Sequence, residues 1–155
     1  MDIQLIEITD ECRAAVLAGA DRLSEMTGLS IPAGWPVFPE IFARPASAEW
    51  PLFLFVHQVE GAVVGSGGFL GSPDDLGRVQ IGYEVAADYR GRGIATRAMQ
   101  QVLSLRPDAQ VVAVTEQAVG ASASVLSKLG LVQAGTVQPP GSPRMYLWVV
   151  RASAA

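Results

Sequence analysis

The sequence has only one cysteine, Cys12, and only one histidine, His57. A single cysteine excludes an internal disulfide, and the pair argues against a metal site built from cysteine and histidine ligands. Any histidine-based catalytic triad would depend on His57, which lies in an apolar stretch where a structural role is the more common one. We therefore expect neither a metal cofactor nor histidine-based catalysis.

Charge is also scarce. Charged residues make up 17% of the chain, the net charge is −4 and the pI is about 4.9. Non-specific nucleic-acid binding needs a broad basic surface, so this composition argues against nucleic acid as a partner. The longest apolar runs, LFLFV from residue 52 and MYLWVV from residue 145, are far too short to cross a bilayer.

The first ten residues, MDIQLIEITD, contain neither a basic segment nor an apolar one, so we expect no signal peptide. The length of 155 residues is typical of one domain, and 50% hydrophobic residues suffice for a sizeable core. No repeat or linker interrupts the chain. We expect a single cytoplasmic domain over residues 1–155, with no membrane partner.

Hydrophobic periodicity and turn residues predict an alternation of strands and helices. The predicted strands are Ile3–Ile8, Leu52–Gln58, Ala62–Leu70, Arg78–Ala86, Gln110–Thr115, Leu131–Val137 and Met145–Arg151. The predicted helices are Asp10–Thr27, ending at Gly28, a short one at Pro36–Ala43, then Ile94–Leu105 and Ser122–Leu129. This order predicts an α/β or α+β domain in which helices flank a mixed central sheet of about seven strands.

The stretch Arg90-Gly91-Arg92-Gly93 stands between a predicted strand and a predicted helix. A helix N-terminus has unpaired N–H groups and partial positive charge, so it binds anions, phosphates above all. Glycines allow close approach and positive φ, and arginines add charge-assisted bonds. The pattern is typical of a pyrophosphate cradle, although it is neither a Walker loop nor a dinucleotide fingerprint. A solvated glycine-rich turn is the alternative.

The surrounding sequence resembles the GNAT N-acyltransferase superfamily. Residues 90–95, RGRGIA, resemble its Arg/Gln-x-x-Gly-x-Gly/Ala motif, and residues 81–91, IGYEVAADYRG, resemble its IGY-x-V-x-P-x-YRG run, with Ala87 in the proline position. Residues 113–122 and 125–131, AVTEQAVGAS and VLSKLGL, are similar to A-x-T-x-x-x-N-x-x-S and VLEKLGF. The likeness covers about residues 63–135 and is greatest to the branch of the ribosomal-protein N-acetyltransferases.

The resemblance implies a sheet that splays open between its fourth and fifth strands and binds acetyl-CoA there. The backbone near Tyr83 and Val85 would pair with the pantetheine arm, and a backbone N–H near Val85 would polarise the thioester carbonyl. The implied cofactor-binding residues are Tyr83, Val85, Arg90, Gly91, Arg92, Gly93, Ile94, Ala95, Thr96 and Ser122. The implied reaction is direct acetyl transfer to an amine.

Several polar positions of the family hold other residues here. Where the family carries a tyrosine, an asparagine and two glutamates, this chain has Leu126, Val119, Gln80 and Val114. Glu84, Glu116 and Ser122 remain as candidate catalytic residues. Glu84 is the candidate base through water, with a surface carboxylate as the alternative, and Glu116 is a second candidate base. Ser122 either bonds the pantetheine or its sulfur, or caps the following helix.

The Pro-rich stretch after the first helix occupies the place where the family builds its acceptor side. Its aromatic residues Trp35 and Phe38 either line a pocket for the acceptor or cover the first helix and the sheet edge. The leading hypothesis is an acetyl-CoA-dependent N-acetyltransferase that acts on a small amine or a protein N-terminus. A CoA-binding sensor without strong catalysis is the alternative. A homodimer is possible, with Trp148 on the last strand as a candidate interface residue.

Overall fold

The computed structural model describes residues 2–150, so the predicted end of the last strand at Arg151 lies outside the described residues. The strands are β1 Ile3–Glu7, β2 Leu52–His57, β3 Ala62–Phe69, β4 Arg78–Val85, β5 Gln110–Thr115, β6 Leu131–Val137 and β7 Met145–Val150. The α-helices are α1 Asp10–Ala18, α2 Ala20–Thr27, α3 Ile94–Ser104 and α4 Ala121–Lys128. Two short 3-10 helices span Pro39–Ala43 and Ala87–Tyr89.

The strands form one mixed sheet in the order β1-β2-β3-β4-β5-β7-β6. Only β4 and β5 pair in parallel, and every other neighbouring pair is antiparallel. Parallel neighbours need a crossover connection, which α3 supplies here. The predicted mixed sheet of about seven strands flanked by helices is therefore confirmed.

Two apolar cores cover the two faces of the sheet. One includes α3 and α4, with Met99, Val102 and Leu126 packed on Phe55 and Ile81. The other includes α1, α2 and the segment around residues 35–42. Because side chains alternate along a strand, neighbouring residues of β4 project toward different cores. This alternation decides which side of the molecule each polar residue of β4 faces.

The strand β3 is buried along its whole length and carries the sequence AVVGSGGF. Its glycines allow an unusually close approach to β4. A Cβ on Gly65 would lie 2.3 Å from the carbonyl oxygen of Glu84, and a Cβ on Gly67 would lie 2.8 Å from the Cβ of Tyr83. Real Cβ atoms do not make such contacts. β4 can therefore lie this close to β3 only because residues 65 and 67 have no side chain.

The first predicted helix is wrong in one respect, because it is two helices separated by Gly19. That residue has φ 126° and ψ 171°, which no helix contains, and only glycine adopts such a conformation readily. The predicted start and end are confirmed. Thr9 Oγ1 accepts a hydrogen bond from the Cys12 amide at 3.2 Å, and Gly28 closes α2 in the left-handed region.

Trp148 is not an interface residue. Its side chain is buried in the core on the α4 side of the sheet, and its indole N–H donates to Thr115 Oγ1 at 2.9 Å. A large apolar side chain on a terminal strand is equally compatible with burial, and β7 is an internal strand of the sheet. Within residues 2–150, none of the helices has the length and apolar character that a membrane span requires.

Candidate active site

The parallel pairing of β4 with β5 ends after three residues. Arg78, Val79 and Gln80 pair with residues 110–112, and residues 81–85 have no partner on that side. The strands therefore separate, and a cavity of about 500 Å³ occupies the opening. Its lining comes from the Pro-rich segment, β4, the following loop, the start of α3 and one face of α4: Phe38, Tyr83, Glu84, Val85, Tyr89, Arg90, Gly91, Gly93, Ile94, Ala95, Thr96, Ala121, Ser122, Ser124, Val125 and Lys128.

The backbone of β4 presents polar groups to this opening. The Leu70 amide donates to Gln80 O at 2.7 Å, and the Ala86 amide donates to Val64 O at 2.8 Å, both toward β3. In an antiparallel ladder every second residue bonds to the same neighbour. The amides of Tyr83 and Val85 consequently point the other way, into the opening, where an extended ligand can pair with them as an added strand.

The loop before α3 has the geometry of an anion cradle. Gly91 and Gly93 adopt φ 78° and 76°, both left-handed, and Gly93 forms the N-cap of α3 without a side-chain bond. The first intrahelical bond runs from the Arg97 amide to Gly93 O. The amides of residues 94–96 therefore have no partner within the helix, and no acidic residue lies in the first turn of α3. This fits the pyrophosphate of the implied donor.

The two arginines of the cradle brace the loop. The Arg90 Nε donates to Val85 O at 3.0 Å, and the Arg92 Nη2 donates to Asp88 O at 3.2 Å. The Arg92 guanidinium also lies 5.2 Å from the centre of the Tyr89 ring, at cation–π distance. The Tyr89 hydroxyl in turn donates to Glu60 Oε2 at 2.8 Å. These contacts fix the loop shape, and of the two arginines Arg90 lines the opening.

Glu84 lines the opening and also holds the Pro-rich segment. Its Oε1 accepts a hydrogen bond from the Val37 amide at 2.7 Å, and its Oε2 accepts one from the Phe38 amide at 3.1 Å. Each carboxylate oxygen keeps a second lone pair for water or a ligand. Glu84 thus joins the strand of the opening to the segment predicted to form the acceptor side, a contact between residues 46 and 47 positions apart.

Tyr83 projects to the opposite face of β4, as strand alternation requires. Its hydroxyl donates to the Ser122 carbonyl at 3.1 Å, so the side chain bridges from β4 to the first turn of α4. Burial raises the pKa of Tyr83 to about 12, and the bond to Ser122 offsets only part of that effect. The family resemblance implicates Tyr83 by its backbone alone. The alternation of β4 was the signal that its side chain faces α4.

Ser122 is not the cap of its helix. α4 begins at Ala121, with Gly120 as the N-cap and no side-chain capping bond, so Ser122 is the second residue of the helix. The glycine adopts φ 127°, which allows the helix to begin at Ala121, one residue earlier than predicted. Ser122 is exposed and lines the opening. That position is compatible with the ligand contact that the resemblance implies.

Three of the four positions that depart from the family pattern lie on the β5 and α4 side, and the fourth, Gln80, lies on β4. Leu126 is 1% exposed and packs in the core, and Val119 is 77% exposed on the turn before α4. Glu116 is exposed on the segment after β5 and is absent from the described lining of the opening. This side of the opening therefore offers fewer ionisable groups to a ligand than the β4 side.

The two aromatic candidates of the Pro-rich segment separate. Trp35 belongs to the core: its indole N–H donates to the buried Ser66 Oγ at 3.2 Å, and its ring meets Phe42 edge to face at 6.1 Å. Phe38 lines the opening and is 54% exposed. Of the two predicted alternatives, the covering role applies to Trp35, whose N–H finds its partner inside the second core, and its assignment as a substrate-pocket residue is wrong.

The remaining reactive side chains have structural surroundings. His57 Nδ1 accepts a hydrogen bond from the Glu60 amide at 3.2 Å, which closes the turn between β2 and β3. Cys12 is buried in α1, and desolvation raises the pKa of its thiol. Among residues 2–150, no three histidine, cysteine, aspartate or glutamate side chains gather as a metal site would require.

The model of the acetyltransferase (GNAT) family matches residues 21–128. The matched range contains the opening, the cradle and α4. No protein with curated annotation matches the chain significantly.

Solved structures share the fold at low sequence identity. A GNAT-family acetyltransferase from Streptococcus pneumoniae has a TM-score of 0.63 and 12% identity, covering 96% of this chain and 100% of its own. A phosphinothricin acetyltransferase from Sinorhizobium meliloti in complex with AcCoA has a TM-score of 0.63 and 16% identity, and the match covers 96% of this chain and 88% of that one. The ribosomal-protein-S5-alanine acetyltransferase from Vibrio fischeri has a TM-score of 0.63 and 16% identity, and the match covers 96% of this chain and 92% of that one. The last two structures are named for different acceptors and the first is named for none, so the likeness selects no branch.

Proposed function

The chain belongs to the GNAT acetyltransferase family, and from this premise we propose that it transfers an acetyl group from acetyl-CoA to a primary amine by direct attack on the thioester. The observation that carries the proposal is the cradle at the start of α3, which opens into the cavity where β4 leaves β5. A phosphate-binding helix end and an unpaired strand edge in one cavity suit a long ligand with a pyrophosphate at one end.

The donor would bind along β4 and the cradle. The amides of residues 91–96, together with the charges of Arg90 and Arg92, would hold the pyrophosphate. The amides of Tyr83 and Val85 would pair with the pantetheine arm, and one of them would polarise the thioester carbonyl. Ser122, exposed on α4, would contact the arm from the other side of the cavity. Acetyl-CoA supplies the activated acetyl group, and these residues supply position and charge.

Glu84 is the proposed general base. An amine is protonated at neutral pH, and it must lose a proton before it can attack a thioester. The Glu84 carboxylate lines the cavity and holds two amides of the Pro-rich segment, so the base and the acceptor wall are fixed to one another. A water molecule on its free lone pairs would carry the proton. Glu116 is the alternative base, reached only from the segment after β5.

Phe38 is the proposed contact for the apolar part of the acceptor. It lines the cavity beside Glu84 and is more than half exposed. An amine with a hydrophobic or aromatic body would pack against this ring, and a cationic acceptor also suits the net charge of −4. A small amine and a protein N-terminus, as in the ribosomal-protein branch, both satisfy this description. We also propose a cytoplasmic protein that forms a homodimer.

A CoA-binding sensor with weak catalysis is the alternative, and two measurements distinguish it. We expect acetyl-CoA and CoA, but not ATP, to raise the thermal unfolding temperature, since a ligand that binds only the folded state stabilises it by about 2.7 kcal/mol at a hundredfold excess over Kd. A screen of amines for CoA release then tests transfer. Binding without release for any amine supports the sensor, and the absence of any thermal shift excludes both functions.

A further inference from the structure

The Tyr83 side chain has a place in the cavity that the proposed reaction does not yet use. Its backbone amide faces the opening, and its ring crosses the cavity to α4. A ligand arm that pairs with the amides of Tyr83 and Val85 therefore lies directly beside this ring. The phenol oxygen stands between the strand edge and Ser122, on the face of β4 opposite Glu84.

Of the two phenol hydroxyls that line this cavity, the one of Tyr83 can more readily change its hydrogen-bond acceptor. The other phenol of the lining, Tyr89, donates to the charged Glu60 carboxylate at 2.8 Å and is thereby committed. Tyr83 donates to a backbone carbonyl, Ser122 O, which as part of α4 also has an intrahelical donor. An ionised acceptor forms a stronger hydrogen bond than a neutral carbonyl, so an anion beside the phenol would take over the O–H.

In the proposed reaction, negative charge develops on the sulfur of the leaving thiol. We propose that the Tyr83 O–H donates a hydrogen bond to this sulfur and stabilises the thiolate that forms there. This inference rests on the proposed function. It assigns opposite tasks to neighbouring residues of β4, because Glu84 faces the incoming amine and Tyr83 faces the outgoing sulfur.

The step balances without a further reactant. As the bond between nitrogen and the acetyl carbon forms, the bond between that carbon and sulfur breaks, and its electron pair remains on sulfur. The nitrogen releases its surplus proton to water through Glu84. Tyr83 keeps its proton throughout, because burial holds the pKa of its phenol at about 12, far above a thiol value of about 8.5. The thiolate takes a proton from water when it leaves.

The position of the phenol is set by the packing of the strand behind it. A Cβ on Gly67 would lie 2.8 Å from both the Tyr83 Cβ and the Phe55 ring. The absence of a side chain at residue 67 therefore lets the base of Tyr83 lie close against β3. The ring is then fixed at its base by Gly67 and at its tip by Ser122, as a preorganised donor must be.

Tyr83→Phe tests the inference, since it keeps the ring and removes only the O–H. We expect kcat to fall on the order of 10–100-fold, with the KM for acetyl-CoA changed by less than about threefold. A second readout needs no turnover. The thiol pKa of CoA bound to the variant, followed by thiolate absorbance, should be about one to two units higher than in the wild-type complex.

Desulfo-CoA, which lacks the sulfur, is the matched ligand control. The wild-type protein should prefer CoA over desulfo-CoA increasingly as the pH rises through about 8.5, and Tyr83→Phe should lose this preference. A wild-type kcat in the variant overturns the inference. So does an equal loss of affinity for CoA and desulfo-CoA at every pH, since that result assigns Tyr83 a bridging role only. If the wild type binds CoA but acetylates no amine, the proposed function fails, and the two binding readouts still decide whether Tyr83 contacts the sulfur.

Discussion

The two walls of the opening differ in how they are built and in what they offer a ligand. The β4 wall has a strand edge with unpaired amides, a carboxylate held by two backbone N–H groups, and the cradle at its end. The opposite wall is formed by α4, and none of its lining residues is acidic. Of the lining residues, only Ser122, Ser124 and Lys128 add polar side chains there.

Under the proposed function, one strand would supply most of the chemistry. In the related sequences that this chain resembles, polar side chains occur on both walls. Here the positions on the second wall hold valine and leucine, while Tyr83 and Glu84 of β4 reach both faces of the sheet. A site of this kind relies on positioning and on backbone groups more than on a set of dedicated side chains.

The largest expected effect comes from Glu84→Gln on the β4 wall. Loss of a general base lowers the rate by on the order of 10²–10⁴-fold, and it should also remove the acid limb of the pH profile of kcat/KM. Glu116→Gln, on the segment after β5, is the matched variant. If Glu116→Gln causes the larger loss, the base belongs to the second wall and the comparison of the walls is reversed.

Glutamine at position 84 still accepts one of the two amide hydrogen bonds from residues 37 and 38, so the segment keeps part of its anchor. A role limited to anchoring would appear as a raised KM for the acceptor with an unchanged pH profile. Steady-state kinetics over a range of pH separate the two roles of this carboxylate.

The next effect concerns the cradle. In Gly93→Val, the valine would be forced to φ 76° at the start of α3, which costs roughly 1–3 kcal/mol. Either binding would have to overcome this strain, or the loop would change its shape. We expect the affinity for acetyl-CoA, measured by calorimetry, to fall about 10–100-fold.

Gly141→Val is a close control for this variant. Gly141 lies in the turn before β7 with φ 75° and, like Gly93, has no atom within 4 Å of an added Cβ. Both variants should lose similar stability in the absence of ligand. A comparable loss of acetyl-CoA affinity in Gly141→Val would mean that the effect is general strain and would remove the cradle assignment.

The smallest effect is expected at the acceptor side. Phe38→Ala should raise the KM for an acceptor with an apolar body about fivefold, which corresponds to about 1 kcal/mol for a partly exposed contact, and should leave the affinity for acetyl-CoA unchanged. Val37→Ala changes the neighbouring residue, which is similarly exposed but absent from the lining. Equal changes in the two variants would place the acceptor elsewhere.

Much of the fold was predictable because hydrophobic periodicity and turn residues agree along the chain. The strand bounds of β5 and β6 match the prediction fully, and the helix start at Ile94 follows from the glycine before it. Two glycines account for the errors in the first and last helices, whereas the predicted helix Pro36–Ala43 is a 3-10 helix that begins only at Pro39. An isolated glycine is tolerated in a helical pattern, so nothing in the sequence revealed that Gly19 breaks the first helix or that Gly120 starts α4 early.

The candidate site was predictable where local residues determine the backbone conformation, as Gly91 and Gly93 do in the cradle. It was less so where tertiary contacts decide. Trp35 and Phe38 are three residues apart with similar character, and only the hydroxyl of Ser66, far along the chain, draws the indole into the core. The bonds between Glu84 and the amides of residues 37 and 38 likewise join distant segments whose proximity no local pattern encodes.

The alternation of β4 makes the length of that strand as important as its composition. Deleting one residue of β4 before Tyr83, such as Gly82, would exchange the faces of the side chains that follow, so that the carboxylate would face α4 and the phenol would face the Pro-rich segment. The same deletion would shift the amides that point into the opening. A substitution in this strand therefore changes one side chain at a time. A change of length by one residue would instead move each following side chain to the opposite face of the site.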